Sequence, residues 1–229
     1  SSETNTDKNG GSIKILGERI ALLDDSKITS SGSNSGGEIL IGGNYLGRGP
    51  EPNASATVIL EGAEINADAI DSGDGGRVIV WSDDYTNFEG SISAKGSEFG
   101  LGGFVETSSK NNLQAFGSVI TAGGLGGGTY LLDPANVEIT SSTNSNISGL
   151  NIFAAQGTNA KISVGTITTG LASGDVYIAT SNSGSGDQPG TITVSADIDY
   201  SGTSNRLLQL VAAEDIKVFA DIKSTGSSK

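Results

Sequence analysis

Apolar and polar residues alternate along this chain in short runs, and the runs open after paired glycines. The phrase reads GGSIKI at Gly10, GGEILI at Gly36, GGRVIV at Gly75, GGFVET at Gly102 and GGTYLL at Gly127. Between Thr191 and Ile198 every second residue is apolar. A period of two sends one face of a strand inward and the other outward. No window sustains a period of 3.6, so no helix is expected. Gly, Ser, Asn and Asp end the runs, as they end short strands.

The runs superimpose on one another. A shift of 27 residues lays Val78 on Val105 and Ile92 on Val119. A shift of 37 lays Leu23 on Leu60 and Ile28 on Ile65, and a shift of 24 lays Ile192 on Ile216, Val194 on Val218 and Ile198 on Ile222. Fixed strands joined by loops of varying length produce such a loose period. The expected fold is all-β, a right-handed parallel β-helix (a β-solenoid), because crossovers between parallel strands are right-handed. Successive coils would lie about 4.8 Å apart, with inward residues stacked in ladders. At roughly 20 to 27 residues per coil, the chain would form about eight to eleven coils.

Three sections follow from the pattern. Residues 1–10 are a disordered segment or the first coil end. Residues 11–138 carry the glycine-pair repeats, and residues 139–229 continue the same core with shorter ones. The division falls after Leu131-Leu132-Asp133-Pro134, since proline cannot donate to a strand ladder. A protruding loop is expected at the join.

Composition narrows the function. The 229 residues include 35 glycines, which supply tight corners. The net charge of −13 is scattered, which argues against nucleic acid or an anionic membrane surface as partner. There is no cysteine, hence no disulfide framework. No run of apolar residues is long enough to insert in a membrane. The absence of methionine suggests a piece excised from a longer chain.

The stretch from Gly75 to Val137 carries three phrases in order: GGRVIVWSDDYTNFEGSISAKG, GGFVETSSKNNL and GTYLLDPANVEI. In this combination they resemble the β-helical shaft of the two-partner secretion exoproteins, the filamentous haemagglutinin-like and high-molecular-weight adhesins of Gram-negative bacteria. Upstream the likeness is looser, and beyond Ile139 only the β-helical texture is shared. The resemblance implies a secreted rod on the bacterial cell surface, exported through an outer-membrane partner. It implies adhesion to a host-cell glycan or receptor, or to a biofilm polysaccharide. It leaves open whether this segment binds or only projects another region.

Few residues offer chemistry. Trp81, the only tryptophan, follows inward Val78 and Val80 and so points outward. With Tyr85, Asp83 and Asp84 it could form a carbohydrate site by stacking on a sugar ring; the alternative is a packed loop. Asp83 and Asp84 could also pair as acid and base in a polysaccharide-degrading enzyme, but the chain has no histidine. Asp71, Asp74, Asp83 and Asp84 offer oxygen ligands for calcium, without any regular calcium-binding repeat. Asn53 and Asn146 stand in glycosylation sequons. An ice-binding face would need more threonines in register than Thr166, Thr168, Thr191 and Thr193.

Overall fold

The structure, a computed structural model, describes residues 8–141, 152–153, 159–181, 188–203 and 205–225. It is predominantly β. The first pass of the chain holds β1 (Ser12–Ile15), β2 (Arg19–Leu22) and β3 (Lys27–Thr29). The second holds β4 (Glu38–Ile41), β5 (Ala56–Ile59) and β6 (Glu64–Asn66). The third holds β7 (Arg77–Val80), β8 (Tyr85–Phe88) and β9 (Ser91–Ser93), and the fourth β10 (Phe104–Thr107), β11 (Asn112–Ala115) and β12 (Ser118–Ile120). Then come β13 (Thr129–Leu132), β14 (Val137–Thr140), β15 (Ala160–Ser163), a helix α1 (Val164–Ser173) and β16 (Asp175–Ala179). The chain ends with β17 (Ile192–Val194), β18 (Ile198–Asp199), β19 (Leu208–Val211), β20 (Ile216–Val218) and β21 (Ile222–Lys223).

Every strand pairing among the described residues is parallel. Sheet one runs β1-β4-β7-β10-β13-β16-β19, sheet two β2-β5-β8-β11-β15-β14-β17-β20, and sheet three β12-β9-β6-β3, with β18 and β21 as a separate pair. The superpositions read from the sequence are physical neighbours. Val78 pairs with Val105, Ile92 with Val119, Ile28 with Ile65, Ile192 with Ile216 and Ile198 with Ile222. Val78, Val105, Ile92, Val119, Ile65, Ile192 and Ile198 belong to one apolar core with Ile28 packed against it, while Ile216 and Ile222 at the C-terminal end are exposed.

The glycine pairs have a steric cause. The carbonyl that closes a pass lies against the first glycine that opened it and accepts a hydrogen bond from the second glycine of the next pass. Thus Ala94 O accepts from Gly103 N at 2.8 Å, and Thr121 O accepts from Gly128 N at 2.6 Å. A Cβ on Gly75 or Gly102 would overlap those same oxygens. Only glycine permits this approach, so the pair fixes where β1, β4, β7, β10 and β13 of sheet one begin.

One expectation needs narrowing and one needs correction. Among the described residues sheet one contains seven strands and sheet two eight, at the low end of the eight to eleven coils expected, with two passes lengthened by residues 42–55 and by the elements β14, β15 and α1. After β13 the chain forms β14, then returns to place β15 between β11 and β14. The correction is α1, which packs against β12 where a third strand would stand. Ser163 caps it, accepting from Thr166 N at 2.9 Å, and Thr166, Ile167, Gly170 and Leu171 form its buried face. Two glycines and five β-branched residues make it a poor helix former alone. Tertiary packing decides the case: a Cβ at Gly170 would come within 2.9 Å of Val176. Thr166 and Thr168 are therefore helical and contribute to no threonine row.

Candidate functional site

The outward face of sheet one carries its own row: Leu40, Ile79, Glu106, Leu131, Tyr177 and Gln209, each paired with the next. Its first half is covered by the β4–β5 connection, residues 42–55, here called the strap. A 3-10 turn at Tyr45–Gly47 presses the strap onto the sheet, capped by Asn44 Oδ1 accepting from Tyr45 N at 2.7 Å. The Tyr45 ring meets Phe104 edge-on at 5.8 Å, and the Arg77 guanidinium lies over both rings. The strap's far end is tied by Lys14 Nζ donating to Glu51 Oε1 at 2.7 Å; this bond and one from Asn44 hold the Glu51 carboxyl down at about 2.

Trp81 does face away from the main core, but it is not exposed. It packs with Leu40 and Ile79 and keeps 5 % of its surface. Gly47 sits on its ring at φ 63° and leaves no room for a Cβ. Tyr85 is 3 % exposed, in a cluster with Ala56 and Val58 to which Phe153 adds partial cover. Burial pushes its hydroxyl up to about 12. Neither ring is open for a sugar to stack on, which overturns the exposed-aromatic expectation. An outward direction does not mean solvent when an excursion of the chain lies over the face.

The four expected carbohydrate residues divide. Trp81 and Asp83 line a common cleft of about 330 Å³ with Leu46, Gly47, Arg48, Asn53, Lys110, Asp133 and Ser181. Asp83 Oδ1 accepts from Trp81 Nε1 at 3.2 Å and from Asn53 Nδ2 at 3.1 Å. Asp84 turns elsewhere, accepting from Asn111 Nδ2 at 3.0 Å. Asp71 and Asp74 stand on the corner before β7, and Asp83 and Asp84 on the corner after it. A whole strand separates the two pairs, so they cannot share a calcium ion. Among the described residues no three carboxylate, histidine or cysteine side chains converge on a metal position. Asn53 Nδ2 also donates to Gly47 O at 3.0 Å, so the nitrogen a glycan would take is already used in the fold. Asn146 lies outside the described residues.

Two carboxyls missed by sequence reasoning mark the site. Glu106 has no exposed surface, and its oxygens accept from Leu46 N at 3.2 and 3.3 Å. Burial pushes it up to about 7, with Asp133 adding in the same direction and Ser108, Leu46 and Arg77 opposing. Asp133 is pushed up to about 6 by burial, against the pull of Arg48. A second depression of about 290 Å³, bounded by Tyr45, Phe104, Leu131, Tyr177 and Gln209, lies on the uncovered half of the row. Both depressions share the turn at Tyr45–Gly47 and the end of β16. The signal was the shift of 37 against 27: ten extra residues between β4 and β5 had to lie somewhere.

The cleft is polar and mixed in charge, with Arg48 and Lys110 against Asp83 and Asp133. The neighbouring depression is aromatic and uncharged. Together they offer hydrogen-bonding groups beside ring faces. Glu106 has no surface to offer a ligand and can act only through the strap. No known family model and no curated protein sequence matches this chain.

Proposed function

We propose that this chain is a segment of a right-handed parallel β-helix that displays a saccharide-binding surface, as part of a secreted adhesin on the bacterial cell surface. The observation that carries the rod is the unbroken inward row of sheet one, from Ile39 through Val78, Val105, Tyr130 and Val176 to Leu208, one residue per pass. Stacked passes of this kind contact only their neighbours and build an extended body. The adhesin reading rests on the phrases between Gly75 and Val137 and on the paired depressions beside the strap. A sugar presents hydroxyls on its edge and C–H groups on its faces. The cleft would take the hydroxyls through Asp83, Asn53, Arg48 and Lys110, and the Tyr45 and Tyr177 rings would take a face. Host-surface glycans and biofilm polysaccharides share this chemistry.

Binding of the labelled protein to a glycan array, with calcium and with chelator, tests the ligand. Saturable binding to a related set of glycans is expected, lost in Tyr177→Ala and in Lys110→Ala. A flat array from well-folded protein would reduce the segment to a shaft. Small-angle scattering tests the rod, and a compact sphere would refute it.

A further inference from the structure

We propose that the strap is a pH-sensitive cover: ionisation of Glu106 releases its turn from sheet one and opens the cleft. The control of ligand access rests on the saccharide reading above; the movement of the strap does not.

The case stands on geometry. Glu106 occupies the outward row between Ile79 and Leu131, so hydrocarbon flanks it on both sides. Its side chain has no exposed surface. Among the described residues only the Leu46 N–H and the Ser108 hydroxyl donate to it. Two charged groups face it, Arg77 from β7 and Asp133 from the end of β13. Arg77 is directed to the Tyr45 and Phe104 rings, at 5.5 and 5.9 Å, with Glu38 as its carboxylate partner at 3.8 Å. Asp133 repels the anion and is itself drawn toward Arg48. An ionised Glu106 is thus a buried charge without an ion pair, which is costly unless water reaches it.

Water can arrive only if the turn lifts. Leu46 holds φ 54°, a left-handed conformation that leucine does not choose by itself. The turn therefore depends on its contacts with Glu106, Trp81 and Phe104. The Lys14–Glu51 pair and the Asn53–Asp83 bond tie the strap's other end, so lifting the turn need not detach the whole segment. The neutral acid still accepts from Leu46 N and asks for no counter-charge. Burial places the change near neutral pH, since the Glu106 carboxyl titrates at about 7.

Trp81 reports on the strap directly, being the only tryptophan and lying beneath Gly47. The experiment is acrylamide quenching of its fluorescence in the ligand-free protein, from about pH 5 to about pH 9, beside far-ultraviolet circular dichroism. Quenching is expected to rise several-fold through one transition near neutral pH while the dichroism stays constant. Glu106→Gln should remain protected throughout. Asp133→Asn should keep the transition but move its midpoint down, because a repelling charge is gone; this variant decides the matter if Glu106→Gln does not fold. Flat quenching, a transition that survives Glu106→Gln, or a parallel loss of dichroism would overturn the proposal. A flat glycan array beside a clear quenching transition would sink the saccharide reading alone.

Discussion

The two faces of sheet one obey different rules. Its inward row, Ile39 to Leu208, is uniformly apolar and is covered by the other sheets. Its outward row is apolar at Leu40 and Ile79, acidic at Glu106, and half open from Leu131 to Gln209. The inward row has its neighbours fixed by the passes themselves. The outward row takes whatever the excursions lay on it, and the strap ends its cover at Glu106. Burial on this sheet is thus of two kinds: one repeated in every pass, the other local and removable.

A charge on the inward row should do the most damage. Val105→Asp places an unpaired carboxylate among Val78, Tyr130 and their neighbours and should cost at least about 4 kcal/mol, abolishing the cooperative melt followed by circular dichroism. The same charge at Gln209, exposed on the outward row, should leave the melt unchanged. If both changes were tolerated alike, the two faces would not differ.

The next effect compares covered with uncovered outward positions. Ile79→Ala removes a fully buried side chain and should cost about 2 to 4 kcal/mol in urea denaturation. Leu131→Ala, two passes on and half-buried, should cost about 1 kcal/mol. Equal losses would mean the strap contributes no cover.

A smaller effect depends on pH. The folded Glu106 carboxyl stands near 7 against an ordinary value of 4.5, so its proton is held more tightly in the folded state. Its favourable contribution is complete below about 4.5 and is lost as pH rises through about 7, by no more than ~3 kcal/mol. Asp133 acts with the same sign through about 6. Wild type should therefore lose stability over this window relative to Glu106→Gln, as paired melts at acid and neutral pH would show. Gly47→Ala should cost about 1 to 2 kcal/mol through its positive φ. It should also red-shift Trp81 emission with the secondary structure intact. Lys14→Ala, which unties an exposed pair, should barely alter the melt, and high salt should mask what change there is.

The inward row was legible because glycine pairs punctuate it. Once Gly75 and Gly102 are aligned, Val78 must meet Val105, and alternation assigns the rest. The outward direction of Trp81 followed from the same alternation. Its cover did not, because the bond from Leu46 N to Glu106 joins residues 60 positions apart. Nothing local in Tyr45-Leu46-Gly47 says which face it will press on. The helix was hidden for another reason. Thr166, Ile167, Gly170 and Leu171 do recur at helical spacing, but over one short stretch of weak formers, where packing rather than propensity decides. Glu106 looked like an ordinary outward polar residue of a strand, and only the strap makes it buried.

The return of the chain to place β15 between β11 and β14 has a consequence for the order of assembly. Up to β13 each strand can dock on one already in place, so growth can proceed pass by pass from the N-terminus. β14 breaks this order. Its neighbours in the finished sheet are β15 and β17, both later in the chain, so when it is made it has nothing to pair with. It must wait until β15 has docked on β11 and then settle on β15 from the far side. The stack therefore grows in two stages, with a pause after β13 that lasts until residue 163 is available. β17 and then β20 are added to a template that only this second stage completes, whereas β16 docks on β13, which is already in place.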